Sequence, residues 1–431
     1  MYPLQWLLLA GLSWAHEHHV DLPPNEYTTD APLDVILWIH IAFMTLSFAI
    51  LFPIGMVLGL ARNRFHAPVQ ITAISLVIVA YFLGHHHKGR QFKSNIHSQF
   101  VPTVMLMIII QGVLGVFLKL HIERGPLGKV RPPLAFVHSW LGKLCIPLVG
   151  YVQMGFGVIT SLGFCHGVHL GQCLAHGIMG SAFIGYGCVL AVMMYVGQPL
   201  LRRTGRPQEF YDSWVILAWG IVNTFTEHRW GQPWSHGDYQ HTSMGIVWWC
   251  GGILGVFLSM YNSNRRSLIP AIIIIVTGWS MSVHHQNLEI STRIHAMFGY
   301  VLMSAGLCRI IEISFVLKDA PAPEYDQIKS FQHLTPFFLV TSGVMFMGAN
   351  EEQLILLDAK GVGHSSYTLI LFSFGFIAYF LILLFINLYI KCSGPNKEAT
   401  EYTRASAVEE FELSSLADSL EGDHEDEIET R

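Results

Sequence analysis

The chain has 431 residues, 52% of them hydrophobic and 13% charged, against about 25% charged in soluble domains, which excludes an ordinary water-soluble fold. The net charge of −5 is concentrated in the tail, where Cys392 to Arg431 hold 12 Asp/Glu and 3 Lys/Arg. The rest is weakly basic, nothing in it suggests a nucleic-acid partner, and the outlying number is 23 histidines.

Residues 1–15, MYPLQWLLLAGLSWA, read as a secretory signal peptide, a short apolar stretch closed by Ser13-Trp14-Ala15. Cleavage there exposes His16-Glu17-His18. Their amine, backbone amides and third-position imidazole make the square-planar nitrogen set that copper(II) prefers; the plain alternative is a polar leader over 16–32. About eleven candidate spans follow, at 33–60, 68–84, 97–120, 133–160, 173–197, 211–226, 241–261, 268–283, 293–316, 333–348 and 365–390, with 211–226, 268–283 and 333–348 short. The expected fold class is therefore all-α, a polytopic transmembrane helix bundle in the lipid bilayer. With the N-terminus lumenal or outside, 15 Lys/Arg near span ends face the cytosol against 6 on the other side, as the positive-inside rule requires. That orientation implies an integral membrane protein of the secretory pathway, with the acidic tail 391–431 cytosolic and without apolar periodicity.

Seven cysteines form no CxxC pair, so neither a zinc ribbon nor a thioredoxin motif is present. Cys165 and Cys173 flank one short outer loop, and an oxidising compartment favours a disulfide between them.

The first four spans carry histidines at successive helix starts: His40, His66, His97 and His138. A bis-histidine haem needs one imidazole from each of two facing helices at the same depth. Because successive helices reverse direction, His40 and His97 fall on the outer side and His66 and His138 on the cytosolic side. Two such pairs would hold two stacked haems across a hydrocarbon core about 30 Å thick. Gly142, one turn after His138, would leave room for a porphyrin edge, and Gln111 is an intramembrane polar group that needs a partner. His85, His86 and His87 are rival outer ligands, and the plain alternative is a set of interfacial histidines.

Span one, His40-Ile-Ala-Phe-Met44 through Phe52-Pro53-Ile-Gly55, resembles the first helix of cytochrome b561 domains. His66-Ala-Pro-Val-Gln70 is similar to their second, His97 through Gln111-Gly112 to their third, and Arg131, His138-Ser-Trp-Leu-Gly142 and Gln153 to Gly157 to their fourth. The resemblance covers 33–160. It implies two b-type haems and transmembrane electron transfer from a small-molecule cytosolic donor such as ascorbate to an outer acceptor such as ferric or cupric ion. The whole chain is similar to fungal Ytp-type membrane proteins, which pair such a half with a second histidine-rich half.

That second half, 161–390, carries outer-side histidines: His166, His169, His176, His228, His236, His241, His284, His285 and His295, with Glu227 and Asp238 among them. Imidazole plus carboxylate suits Zn, Fe or Cu, so His176, His228, His236, Asp238, His241, His284, His285 and His295 are the candidate metal ligands. His176/Gly180, His241/Gly245 and His295/Gly299 repeat the His138/Gly142 spacing, which leaves a further haem and a plain polar layer as alternatives. No nucleotide fingerprint is present. Three functions compete: a transmembrane oxidoreductase, a metal-handling or sensing protein without redox activity, and a multi-pass structural or trafficking protein.

Overall fold

The computed structural model describes residues 26–120, 125–228, 230–261, 266–284, 286, 288–317 and 328–394. The signal peptide, His16-Glu17-His18, His285 and the acidic tail beyond 394 lie outside the described residues. The chain divides into two compact units, one of residues 1–158 with 387–431, the other of 159–386.

The first unit is built on α1 (Val35–Leu60), α2 (His66–His86), α3 (Ile96–Lys119) and α4 (Leu127–Leu162), whose last four residues belong to the second unit. Asp34 caps α1 by accepting the Leu37 N–H at 2.9 Å, and Asn95 caps α3 by accepting the Ser98 N–H at 2.9 Å, each satisfying an orphan donor of the first turn. A π-helical turn at Leu46–Leu51 leads into Pro53, and another at Leu141–Cys145 follows His138; such turns re-aim the side chains around them. Ser47, Ala73 and Ala80 are fully buried, and their small side chains let α1 and α2 approach closely. A core of Phe48, Phe52, Ala73, Val77, Val104 and Ile108 fills the middle of the unit. An antiparallel bridge of Thr28 with Phe92 ties the segment before α1 to the turn after α2, and the second Asp34 oxygen accepts the Lys88 N–H at 2.8 Å.

The second unit contains α5 (Gly167–Tyr195), α6 (Gln198–Thr204), α7 (Gln208–Thr226), α8 (His236–Tyr261), α9 (Ile269–Ser282), α10 (Glu289–Leu317), α11 (Leu334–Met347), α12 (Glu351–Ala359) and α13 (His364–Ser393), whose last residues belong to the first unit. Close pairs form where glycines face each other. A Cβ on Gly180 would lie 2.7 Å from the Gly343 carbonyl, and one on Gly278 would lie 2.6 Å from the Gly299 carbonyl. The core runs along α10 through Ile294, Phe298 and Leu302 and onto Leu339, Met345 and Leu354. Cys165 and Cys173 are joined as a disulfide, and the Cys165 N–H donates to Glu352 at 2.6 Å.

Every expected apolar stretch is helical, and among the described residues eight helices are long and apolar enough to cross a membrane. The three that fall short are α7, α9 and α11, within the stretches the sequence marks as short. α11 has 14 residues, about 21 Å of helix against a core of about 30 Å. α7 carries the buried Glu209 and Asp212 in its first turns. The helix α12, capped by Asn350 accepting the Glu352 N–H at 3.0 Å, lies in what the sequence leaves as a connection.

Candidate functional site: paired histidines in both units

In the first unit the structure brings His40 to His97 and His66 to His138. Each pair has ring centroids 6.3 Å apart, with planes at 88° and 89°. An imidazole centroid lies about 1.1 Å behind its ring nitrogen, so a metal about 2 Å from two opposed nitrogens sets the centroids about 6 Å apart. The Nδ1 of His40 bonds the Ala80 carbonyl at 2.7 Å, that of His66 the Gly55 carbonyl at 2.6 Å, and that of His97 the Gln153 carbonyl at 3.2 Å. A carbonyl accepts only, so these Nδ1 atoms carry the proton, and Nε2 is left with its lone pair outward. This is the orientation that a carbonyl bonded to the other ring nitrogen imposes on metal-ligating histidines. His138 is held through its backbone instead: Gln111 Nε2 donates to its carbonyl at 3.0 Å, and its own Nδ1 is buried without a partner. Gln153 Nε2 likewise donates to the His97 carbonyl at 2.9 Å.

Each of the four rings rests on a glycine of another helix or turn of the bundle. A Cβ on Gly84 would lie 2.7 Å from His40 Nδ1, on Gly59 2.8 Å from His66 Nδ1, on Gly157 3.2 Å from His97, and on Gly115 3.4 Å from His138. Gly142 has a different role from the one the sequence suggests. The space beside it is taken by the Gln111 amide, 2.6 Å from where a Cβ would stand, because that amide must reach the His138 carbonyl. The rivals His85 and His87 pack on Tyr81 and Phe92 rather than on a second imidazole, and His85 and His86 bond carbonyls of their own helix. Outside the spans, burial pushes His87 below the ordinary imidazole range. Backbone N–H bonds from Lys88 and Leu37 hold the Asp34 carboxyl below the usual carboxylate value.

In the second unit the histidines form pairs and a chain rather than one cage. His176 faces His295 at 5.7 Å and 90°, His295 faces His284 at 6.3 Å, and His284 faces His241 at 5.5 Å. His241 also meets Glu227 at 3.2 Å, and His284 bonds the Gln240 side chain. His228 lies apart, 3.1 Å from Asp238 and stacked on Trp234. His236 is exposed at the start of α8. Among the described residues, no three His, Cys, Asp or Glu side chains gather as one group able to hold a metal.

Sequence reasoning missed a buried ionic network in the same unit. Glu209 is gripped by Arg266 at 3.1 Å and Arg309 at 2.7 Å, and Arg309 reaches Glu312 at 2.8 Å. All four side chains are at least nine-tenths buried. The signal was available for Arg309 and Glu312, ionisable residues within the apolar stretch 293–316, whereas Glu209 and Arg266 lie outside the expected spans and the pairing is not encoded in spacing.

Residues 149–390 match a family model described as Protein YTP1-like, C-terminal, and residues 21–121 match a domain of unknown function, DUF2427. Protein YTP1 of Saccharomyces cerevisiae is 51% identical over 258 residues, covering 60% of this chain and 55% of that relative. An uncharacterized membrane protein of Schizosaccharomyces pombe is 23% identical over 444 aligned positions, covering 74% and 86%. An uncharacterized membrane protein of Saccharomyces cerevisiae is 26% identical over 274, covering 51% and 43%. The chain thus spans about half the length of the first of these relatives. No solved structure matches. With more than half of its residues matched by the family model, the chain belongs to the YTP1-like family of membrane proteins.

Proposed function

We propose that the first unit carries electrons across the bilayer on two b-type haems, one between His40 and His97 and one between His66 and His138. The observation that carries this reading is the repeated ring geometry: two perpendicular imidazole pairs at 6.3 Å, three of whose four Nδ1 atoms are tied to backbone carbonyls. Edge-to-face ring packing also spans such distances, but it gives no reason for Nε2 to be left free. The resemblance of 33–160 to cytochrome b561 domains supports the same reading.

When bound, each haem supplies a one-electron iron couple. The chain's own residues fix the ligand tautomers, hold the two levels apart and keep water out between them. His40 lies level with Ala80 and His66 with Gly55, so the levels are about 15 residues of α1 apart, or about 22 Å. Phe48, Phe52 and their apolar neighbours occupy the interval. The net reaction would oxidise a small-molecule donor such as ascorbate at the cytosolic level, His66/His138. It would reduce an acceptor such as ferric or cupric ion by one electron at the other.

The test is a reduced-minus-oxidised spectrum of the purified full chain, with each histidine replaced in turn. His40→Ala and His97→Ala should deplete one spectral component, and His66→Ala and His138→Ala the other. Absence of haem, full haem in all four variants, or His40→Ala behaving like His138→Ala would overturn the reading. Metal handling by the second unit without redox activity is the alternative, and it would leave that spectrum blank.

A further inference from the structure

The second unit holds a histidine pair of a different kind from those of the first. His176 on α5 and His295 on α10 each bond, through Nδ1, the carbonyl four residues earlier: Gln172 and Ser291, both at 2.8 Å. The proton therefore sits on Nδ1 and both Nε2 atoms carry lone pairs. The residues are only 8% and 3% exposed. His176 Nε2 is buried and has no hydrogen-bond partner. Leaving a buried acceptor of that kind unmet is destabilising, and a bound cation removes that cost.

The surroundings decide what kind of ligand fits. Phe346 stacks on the His176 ring at 4.7 Å and 13° and is itself backed by Phe298 at 4.7 Å. Close helix contacts at Gly180/Gly343 and Gly278/Gly299 brace both sides. With Phe346 covering one face of the His176 ring, the site favours a bare ion over a porphyrin plane. Bonds of about 2 Å to two opposed nitrogens set imidazole centroids about 6 Å apart, and the observed 5.7 Å is within about half an ångström of that. Two carboxylates of this unit are engaged elsewhere, Glu351 with His169 at 3.5 Å and Glu227 with His241 at 3.2 Å.

We propose that His176 and His295 bind one copper(I) ion between their Nε2 atoms. Two neutral imidazoles bring no negative charge, so the ion's charge goes uncompensated in a low-dielectric site. The desolvation cost of an ion rises with the square of its charge, so a divalent ion is penalised about fourfold over a univalent one. Alkali and alkaline-earth cations want oxygen donors, whereas copper binds imidazole. Copper(I) is the univalent first-row ion that is stable with few ligands. The inference does not depend on haem in the first unit.

The full chain, purified in detergent and kept anaerobic, is titrated with copper(I) against the chromophoric chelator bicinchoninate. One equivalent should be held by the wild type, His40→Ala and His284→Ala, and lost in His176→Ala and in His295→Ala. X-ray absorption of the wild-type complex gives a measurement that needs no variant. It should show a two-nitrogen shell without sulfur. Full loading of both alanine variants, a sulfur ligand, a shell of four or more ligands, or preference for zinc(II) over copper(I) would overturn the assignment.

Discussion

Gly84→Ala separates ligand geometry from bulk stability. The added Cβ would stand 2.7 Å from His40 Nδ1, where ordinary contact begins at 3.4 Å. The ring must retreat by about 0.7 Å or more, since the repulsive wall is steep. That retreat would stretch the 2.7 Å bond from Nδ1 to the Ala80 carbonyl to about 3.4 Å, at the weak end of hydrogen bonding. It also displaces Nε2 by more than the roughly 0.2 Å that metal–ligand distances tolerate. In stability the overpacking costs about 1–3 kcal/mol, partly offset by the gain of about 1 kcal/mol from removing a helical glycine. The expected outcome is a folded protein that has lost the haem component of His40/His97 and kept the other, read by reduced-minus-oxidised spectra per mole of protein. Gly155→Ala is the control, because nothing lies within 4 Å of its Cβ position, and it should keep both components. Retention of both components in Gly84→Ala, at wild-type spectral positions, would refute the ligand assignment of His40.

Two further outcomes are expected. Arg309→Met removes the ion pairs to Glu209 and Glu312 and strands a buried carboxylate, at a cost of about 3–5 kcal/mol. Thermal unfolding in detergent should show a large loss, with Arg309→Lys intermediate because lysine lacks the fork, and wild-type melting in Arg309→Met would refute the network's role. The Asp34 carboxyl is held below its ordinary 3.8 by the Lys88 and Leu37 N–H groups. Its contribution is therefore complete above the unfolded value and is lost as pH falls through the folded one. Below about pH 4 the protection factor of the Lys88 amide, taken against the unstructured rate at the same pH, should fall in the wild type, while Asp34→Ala should be unprotected at every pH.

The neighbour relations of His40, His66, His97 and His138 were legible because they follow from alternation of helix direction alone. Register and rotation are another matter. Which glycine lies under which ring, and that Gln111 and Gln153 reach the backbones of His138 and His97, depends on how each helix is turned about its axis. Neither π-helical turn shows in the sequence, and each adds a residue to its turn and rotates the helix beyond it. Gly142 shows the consequence: the spacing suggested a cleft, and the amide of a facing helix fills it. In the second unit, alternation gave one side for His176, His241 and His295 but not their grouping. The grouping arises because Gly180, Gly278 and Gly299 set how closely α5, α9 and α10 lie to their neighbours.

The arrangement along α10 ties two distant places together. His295 lies near one end and Arg309 near the other, about 21 Å away along the axis. At the Arg309 end the guanidinium is bolted to carboxylates of α7 and of its own helix, and between the ends the backbone is wedged against α9 at Gly278 and Gly299. A one-turn slip of α10 would break the buried ion pair of Arg309 with Glu209 and so is forbidden by several kcal/mol. The depth of the His295 imidazole is thus fixed by an anchor it never touches. Damage at the anchor would surface at the far end of the rod, as misplacement of an imidazole whose own neighbours are all intact.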